Sequence, residues 1–200
     1  IEDYSDVKLR GFIEGFYGGF DYEGRESQMR SIRDVKGNMY VFASKTDPYH
    51  GGDKWADLYP DDELSKIKHL VDVGKEMKVR YVWSVHIGQT HFFQNVSTDP
   101  SDTEAYQRYE EQLKKLEKKF DQLFSIGVRD FHVLNDDSNS GTYEDVVKLL
   151  NDLDDWLKQK GDCGPLVYCP NGYNESWSES QSPDELPAFR ALHDDIYLYW

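Results

Sequence analysis

Short apolar runs alternate with helix-periodic segments along almost the whole chain. The runs fall at about 8–16 (Lys-Leu-Arg-Gly-Phe-Ile-Glu-Gly-Phe), 38–44, 80–87 (Arg-Tyr-Val-Trp-Ser-Val-His-Ile), 129–135, 165–170 and 196–200. Each is short and rich in aromatic or β-branched side chains, as in parallel strands covered on both faces. Between them, Leu64, Ile67, Val71 and Gly74 form one stripe at helical spacing. Tyr109, Leu113, Leu116, Phe120 and Leu123 form a second, and Val146, Leu149, Leu150, Leu153 and Leu157 a third. Ser182-Pro-Asp-Glu185 and Ser101-Asp-Thr-Glu104 have capping-box spacing and predict helix starts, the first with Pro at the first helical position. Lys114, Lys115, Lys118 and Lys119 alternate with Glu110, Glu111 and Glu117, which predicts a solvated helix face.

Six strands alternating with five helices predict a βα repeat, hence an α/β fold. A closed (β/α)₈ barrel of the TIM type needs eight strands and typically about 250 residues. The 200-residue chain stops within the sixth strand. We therefore expect a single barrel domain over residues 1–200, truncated after about the sixth strand. An open doubly wound sheet is the alternative, but no glycine-rich dinucleotide loop follows the first strand.

Charge narrows the partners. The net charge of −15, from 23 Lys+Arg against 38 Asp+Glu, argues against nucleic acid or an anionic membrane surface. The longest apolar runs, such as Met39 to Ala43, are too short to span a bilayer. An aromatic content of 14% suits sugar-stacking surfaces as well as core. Cys163 and Cys169 leave a disulfide open, and with no His or Cys partner at ligand spacing no metal site is expected. The chain begins at Ile1 without Met or a signal sequence, as a segment cut from a longer protein would. Secreted and intracellular life both fit; the sequons Asn95-Val-Ser97 and Asn174-Glu-Ser176 would permit N-glycosylation in the former.

In a βα barrel the active site lies at the carboxyl ends of the strands. Those ends carry Glu14-Gly-Phe-Tyr-Gly18, Ser44-Lys-Thr-Asp-Pro-Tyr-His50, His86-Ile-Gly-Gln89, Asn135-Asp-Asp137, Asn171-Gly-Tyr-Asn174 and Trp200. The pair Asp136-Asp137 is the strongest chemical signal. Two adjacent carboxyl groups repel, so their pKa values separate and they can take different roles at one pH, as acid/base chemistry on a glycosidic bond requires. Lys45, ending a buried strand, needs an acceptor: a substrate hydroxyl, or a salt bridge to Asp47 or Asp136. Tyr173 offers a phenol to a sugar or an amide oxygen, or is simply core. Gly15 and Gly18 let the backbone approach a ligand, or serve a tight turn. His86 reads as a satisfied core or rim histidine rather than a catalyst.

Taken together, these residues resemble the catalytic domain of glycoside hydrolase family 84, the O-GlcNAcases and the bacterial β-N-acetylglucosaminidases often labelled hyaluronidases. Gly11-Phe-Ile-Glu-Gly-Phe-Tyr-Gly18 looks like the family's opening G-x-x-E-G-F-Y-G. Tyr40-Val-Phe-Ala-Ser-Lys-Thr-Asp-Pro-Tyr-His50, with Trp55 and Tyr59-Pro60 after it, looks like its Y-x-x-A-P-K-D-D-P-Y-H…W…Y-P block. Val85-His-Ile-Gly88 parallels its short P-G segment, Gly127-Val-Arg-Asp-Phe leads into the double aspartate, and Cys169-Pro-Asn-Gly-Tyr-Asn174 fits C-P-T-E-Y-N.

The resemblance implies a retaining exo-β-N-acetylglucosaminidase using substrate assistance, with no cofactor and no metal. The 2-acetamido oxygen attacks the anomeric carbon; Asp136 orients the acetamido N–H and Asp137 is general acid, then general base. Gly15, Lys45, Tyr173 and Asn174 bind the sugar. Protein-linked O-GlcNAc, mucin-type glycans and hyaluronan all remain open as substrates, as does a homologue that binds GlcNAc without cleaving it. The chain departs from the family pattern at Gly19-Phe20-Asp21-Tyr22, at Ser44 and Thr46, and at Asn171-Gly172, and it ends before the family's seventh-strand W-D-N segment.

Overall fold

The computed structural model describes residues 5–17, 21–138 and 140–200. Six strands form one parallel sheet in strict sequence order: β1 (Gly11–Ile13), β2 (Met39–Phe42), β3 (Arg80–His86), β4 (Asp130–Leu134), β5 (Val167–Cys169) and β6 (Tyr197–Leu198). The helices alternate with them: α1 (Tyr22–Asp34), α2 (Asp61–Met77), α3 (Thr103–Ser125), α4 (Tyr143–Lys160), and the short α5 (Glu175–Ser180) and α6 (Glu185–Ala188). Sequential parallel pairing with a helix at each crossover is the winding of a TIM barrel, here open between β1 and β6. All six strands occur where the apolar runs place them, but they are shorter. β1 pairs with β2 only from Gly11↔Met39 to Ile13↔Val41, and β6 with β5 only at Tyr197 and Leu198.

Parity along the strands separates two cores. Side chains on the outer face of the sheet meet the helices, where Phe120 stacks on Phe131 (centroids 4.4 Å apart) and Trp156 meets both edge-on. On the inner face Met39, Val41 and Val82 close a small cluster with Leu9. The same parity carries Ser84 and His86 on β3, His132 and Leu134 on β4, and Cys169 on β5 to the barrel interior, since His86 pairs with Leu134 and Leu134 with Cys169.

Three expectations are corrected. The helix expected at Ser101 is capped instead by Asp102, whose carboxylate accepts from Ala105 N–H (3.3 Å). No capping box forms at Ser182. The buried Glu185 turns its carboxylate away from the helix start to accept Asn171 N–H (3.0 Å) and Gly172 N–H (2.9 Å), two otherwise unpartnered donors. Lys114, Lys115 and Lys118 are exposed as expected, but Lys119 is fully buried. Its ammonium donates to the carbonyls of Tyr49 (2.8 Å), Lys54 (3.3 Å) and Trp55, with the rings of Tyr49, Tyr59 and Trp83 around it. Burial pushes its pKa down to about 7, opposed by the charges of Asp47 and Asp57.

Both cysteines are free thiols. Among the described residues, Asp154, Asp155 and His193 do come close enough together to share a cation, so acid–imidazole spacing is not absent. Asp154 in that group already accepts Lys158 (2.6 Å) and His193 (2.7 Å). No described helix is long and apolar enough to cross a membrane.

Candidate active site

A cleft of about 340 Å³ opens at the carboxyl ends of the strands. Gly15, Lys45, Asp136, Cys169, Tyr173 and Trp200 line it, over an apolar floor that includes Ile13 and Leu134. A second cleft of about 420 Å³ lies outside the barrel, between the end of β2 and helices α1 and α2. Its acids are already engaged: Asp47 accepts from Tyr59 Oη (2.7 Å) and Glu63 from Tyr22 Oη (3.0 Å). The interior cleft is therefore the candidate site.

Each wall is fixed by a contact made behind it. Glu14, pointing outward from the end of β1, is clamped by Arg25 through both carboxylate oxygens (2.9 and 3.2 Å) and by the Tyr40 hydroxyl. The next residue, Gly15, then presents bare backbone to the cleft. Among the described residues a Cβ there would meet nothing within 4 Å, and its φ is not in the left-handed range, so neither their packing nor its own backbone requires glycine. Gly18 lies outside the described residues.

The double-aspartate loop is knotted by Asn135. Its N–H donates to Cys169 O (2.9 Å), its side-chain amide to Tyr168 Oη (3.2 Å), and its Oδ1 accepts from Ser138 Oγ (2.8 Å). Gly88 permits β3 to approach: a Cβ there would collide with Ser138 Oγ and Asn135 Oδ1.

Consecutive acids then part company. Asp136 points into the cleft with its side chain 24% exposed, Oδ2 at 3.8 Å from Lys45 Nζ and Oδ1 at 3.4 Å from His86 Nε2. Its pKa is lowered, first by the His86 hydrogen bond and further by the charges of His86 and Lys45, against the opposing effect of burial. Asp137 adopts left-handed backbone (φ 56°) and is exposed, outside the cleft lining. Aspartate is among the few non-glycine residues that tolerate this conformation.

Tyr173 stands at the cleft wall on the loop that Glu185 anchors, its phenol pKa raised by burial and by Asp137 and Asp136. Asn174 does not line the cleft. It caps α5, accepting from Trp177 N–H (3.0 Å), and Trp177 packs edge-on against Tyr173 at 4.9 Å. Cys169 faces the same space with its thiol pKa pushed up to about 12 by burial and by neighbouring acids, Asp136 first. Of the two partners considered for Lys45, Asp136 is the one it meets; Asp47 is held by Tyr59 and Tyr49 N–H.

Sequence reasoning set His86 aside and passed over the holding contacts of Glu14, Asn135 and Glu185. Strand parity was the available signal for His86, because it shares an inward layer with Leu134 and Cys169.

Fold and cleft together define a TIM-type barrel domain whose site gathers carboxylate, ammonium, phenol and indole groups at the strand ends. Residues 10–200 match the beta-N-acetylglucosaminidase (NAGidase) family, and the chain belongs to it, within glycoside hydrolase family 84. It is 25% identical to the protein O-GlcNAcase of Rattus norvegicus, over 96% of this chain and 21% of that protein. The solved structure of CpGH84D superposes with a TM-score of 0.85 at 37% identity, covering 100% of this chain and 32% of that one. For CpGH84B the values are 0.79 and 28%, over 96% and 33%. The chain thus spans about a fifth of the length of the curated relatives it matches and a third of the solved ones.

Proposed function

We propose that the protein carrying this domain is a retaining exo-β-N-acetylglucosaminidase working through the substrate's own acetamido group. The observation that carries the reading is the divergence of two consecutive acids. Asp136 is held inside the cleft, its pKa lowered by His86 and Lys45, while Asp137 is turned by its left-handed backbone towards the exposed side. A sugar seated in the cleft would give its 2-acetamido N–H to the Asp136 carboxylate, which raises electron density on the acetamido oxygen. That oxygen bonds to the anomeric carbon as the glycosidic bond breaks, and the Asp137 proton passes to the departing oxygen. Asp137, now a carboxylate, takes a proton from the incoming water, whose oxygen attacks the same carbon and opens the oxazoline with net retention. Neither acid acts as nucleophile, in contrast to the two-carboxylate retaining scheme.

Lys45 and the Gly15 backbone would hold sugar hydroxyls and Tyr173 the acetamido region. Trp200, 64% exposed at the cleft edge, offers an indole face to a sugar ring. Asn174 would serve indirectly, by capping the helix whose Trp177 supports Tyr173. GlcNAc-bearing glycoproteins or glycans are the substrates this pocket suits.

The full-length protein is expected to hydrolyse an aryl β-GlcNAc glycoside with retention by NMR, and to be inhibited by a thiazoline mimic of the oxazoline. Binding of GlcNAc ligands with no turnover would overturn the enzymatic reading and leave a glycan-binding homologue. Gly15→Ala provides a second check. Because the added methyl meets no described residue within 4 Å, thermal stability should be unchanged while KM rises roughly tenfold, about 1.4 kcal/mol of lost binding. A Tm loss without a KM change would show that Gly15 serves the turn instead.

A further inference from the structure

We propose that His86 is a positioning residue for the reaction: its Nε2–H holds Oδ1 of Asp136 and fixes the orientation and ionisation of that carboxylate. The inference rests on the reading that Asp136 acts as a carboxylate on the acetamido N–H.

The geometry leaves His86 little else to do. Its side chain is 2% exposed at the inward end of β3, with Nε2 at 3.4 Å from Asp136 Oδ1. Its other ring nitrogen, Nδ1, is buried and has no hydrogen-bond partner among the described residues. A carboxylate oxygen only accepts, so Nε2 carries the proton that faces Asp136. His50 reinforces this arrangement. Its Nδ1 donates to the Ser84 carbonyl (2.6 Å), its bare Nε2 likewise has no partner, and its ring lies edge-on to His86 at 6.3 Å. Burial pushes the His50 pKa down to about 3, so a neutral imidazole backs His86. The position of His86 is set by its own N–H, which donates to His50 O (3.0 Å), and by Gly88, which lets β3 meet the Asn135–Ser138 loop.

The titratable groups around Asp136 come from neighbouring strand ends: Lys45 after β2 and His86 on β3 act on it, Asp137 follows it on the same loop, and Asp136 in turn raises the pKa values of Cys169 and Tyr173 at β5. Among the described side chains, Lys45 at 3.8 Å and His86 at 3.4 Å meet its oxygens directly, one on each. The substrate N–H must share the Oδ atoms with them, so loss of His86 frees the carboxylate to rotate as well as to gain a proton.

Variants of the full-length protein test this. His86→Leu should lower kcat on an aryl β-GlcNAc glycoside by about tenfold to a hundredfold with a smaller change in KM, the scale of a misplaced reacting group. It should also move the acidic limb of the kcat/KM profile to higher pH. His86→Gln places an amide N–H where Nε2 was and should restore most of the rate; His86→Asn, whose amide reaches only the Nδ1 position, should not. In an Asp136→Asn background, His86→Leu should add no further loss. A ¹³C titration of the Asp136 carboxyl should show its pKa rising in His86→Leu and His86→Asn and returning towards wild type in His86→Gln. Equal behaviour of the Gln and Asn variants, or an unmoved Asp136 titration in any folded variant, overturns the proposal. An inactive wild type would instead overturn the glycosidase reading, and the titration would still decide the role of His86.

Discussion

Asp137→Asn is expected to reduce kcat on β-GlcNAc glycosides with poor leaving groups by roughly 10²–10⁴-fold, the usual contribution of a positioned general acid. The amide has no proton to give to the departing oxygen. Asparagine tolerates left-handed backbone as aspartate does, so φ 56° at this position should survive and the loss should be chemical rather than structural. The diagnostic is dependence on the leaving group. A dinitrophenolate departs without protonation, so its glycoside should lose far less rate in the first step than a methylumbelliferyl or alkyl one. Asp136→Asn should behave differently, because it removes charge from the acetamido side and should slow all leaving groups alike. If Asp137→Asn keeps the wild-type leaving-group slope, or Asp136→Asn changes it, the division of roles is wrong.

Lys119→Met should be the most damaging single change to stability. The ammonium satisfies three carbonyls of the segment that follows β2, and methionine of similar length satisfies none. Leaving buried acceptors unpaired costs about 1–3 kcal/mol each when no water replaces the donor. Methionine also removes the cost of burying a charge and keeps the packing, so the net expectation is about 3 kcal/mol. At this size each kcal/mol moves Tm by roughly 2–4 °C, giving a fall of about 6–12 °C. Because Tyr49 leads directly into His50, the backing of the His86 ring should loosen as well, visible as faster amide exchange across residues 49–55. A Tm within about 2 °C of wild type, on the same scale, would show that the segment is held without the lysine.

The legibility of the fold follows from where its burial lies. Parallel strands covered on both faces read as continuous apolar runs, as β2 to β4 do, whereas the edge strands β1 and β6 are exposed and were visible through their aromatic and β-branched composition alone. Their ends were not, because Glu14 N–H and Asn135 N–H still reach the neighbouring strand, at Val41 O and Cys169 O, one residue past the last ladder pair, while Lys45 already lies in a turn. Lys119 shows how composition can mislead. Four lysines in six residues suggest a solvated face, yet position 119 lies three after Leu116 and four before Leu123, on the apolar stripe itself. Spacing held the answer that charge concealed.

Capping-box spacing at Ser182 was misleading for another reason. Glu185 had a stronger claim on it, two backbone N–H groups in the preceding loop, and local sequence does not show which donors a fold brings near. At the site, the strand-end rule placed Gly15, Lys45, Asp136 and Tyr173 on one cleft. Sequence alone did not show that Asp137 would face away from its neighbour, since that depends on one left-handed φ. Nor did it show that Asn174 acts as a helix cap behind Tyr173.

The strict β1-to-β6 order has a consequence for biosynthesis. Among the described residues the strands pair in chain order, so the units that build the cleft emerge from the ribosome one after another. Lys45, His86 and the Asn135–Ser138 loop meet as soon as β2, β3 and β4 have docked, and Cys169 joins them with β5. The nascent chain would therefore bring its acid pair beside the supporting histidine with β4, and fix the loop that carries the pair when Tyr168 and Cys169 of β5 reach Asn135.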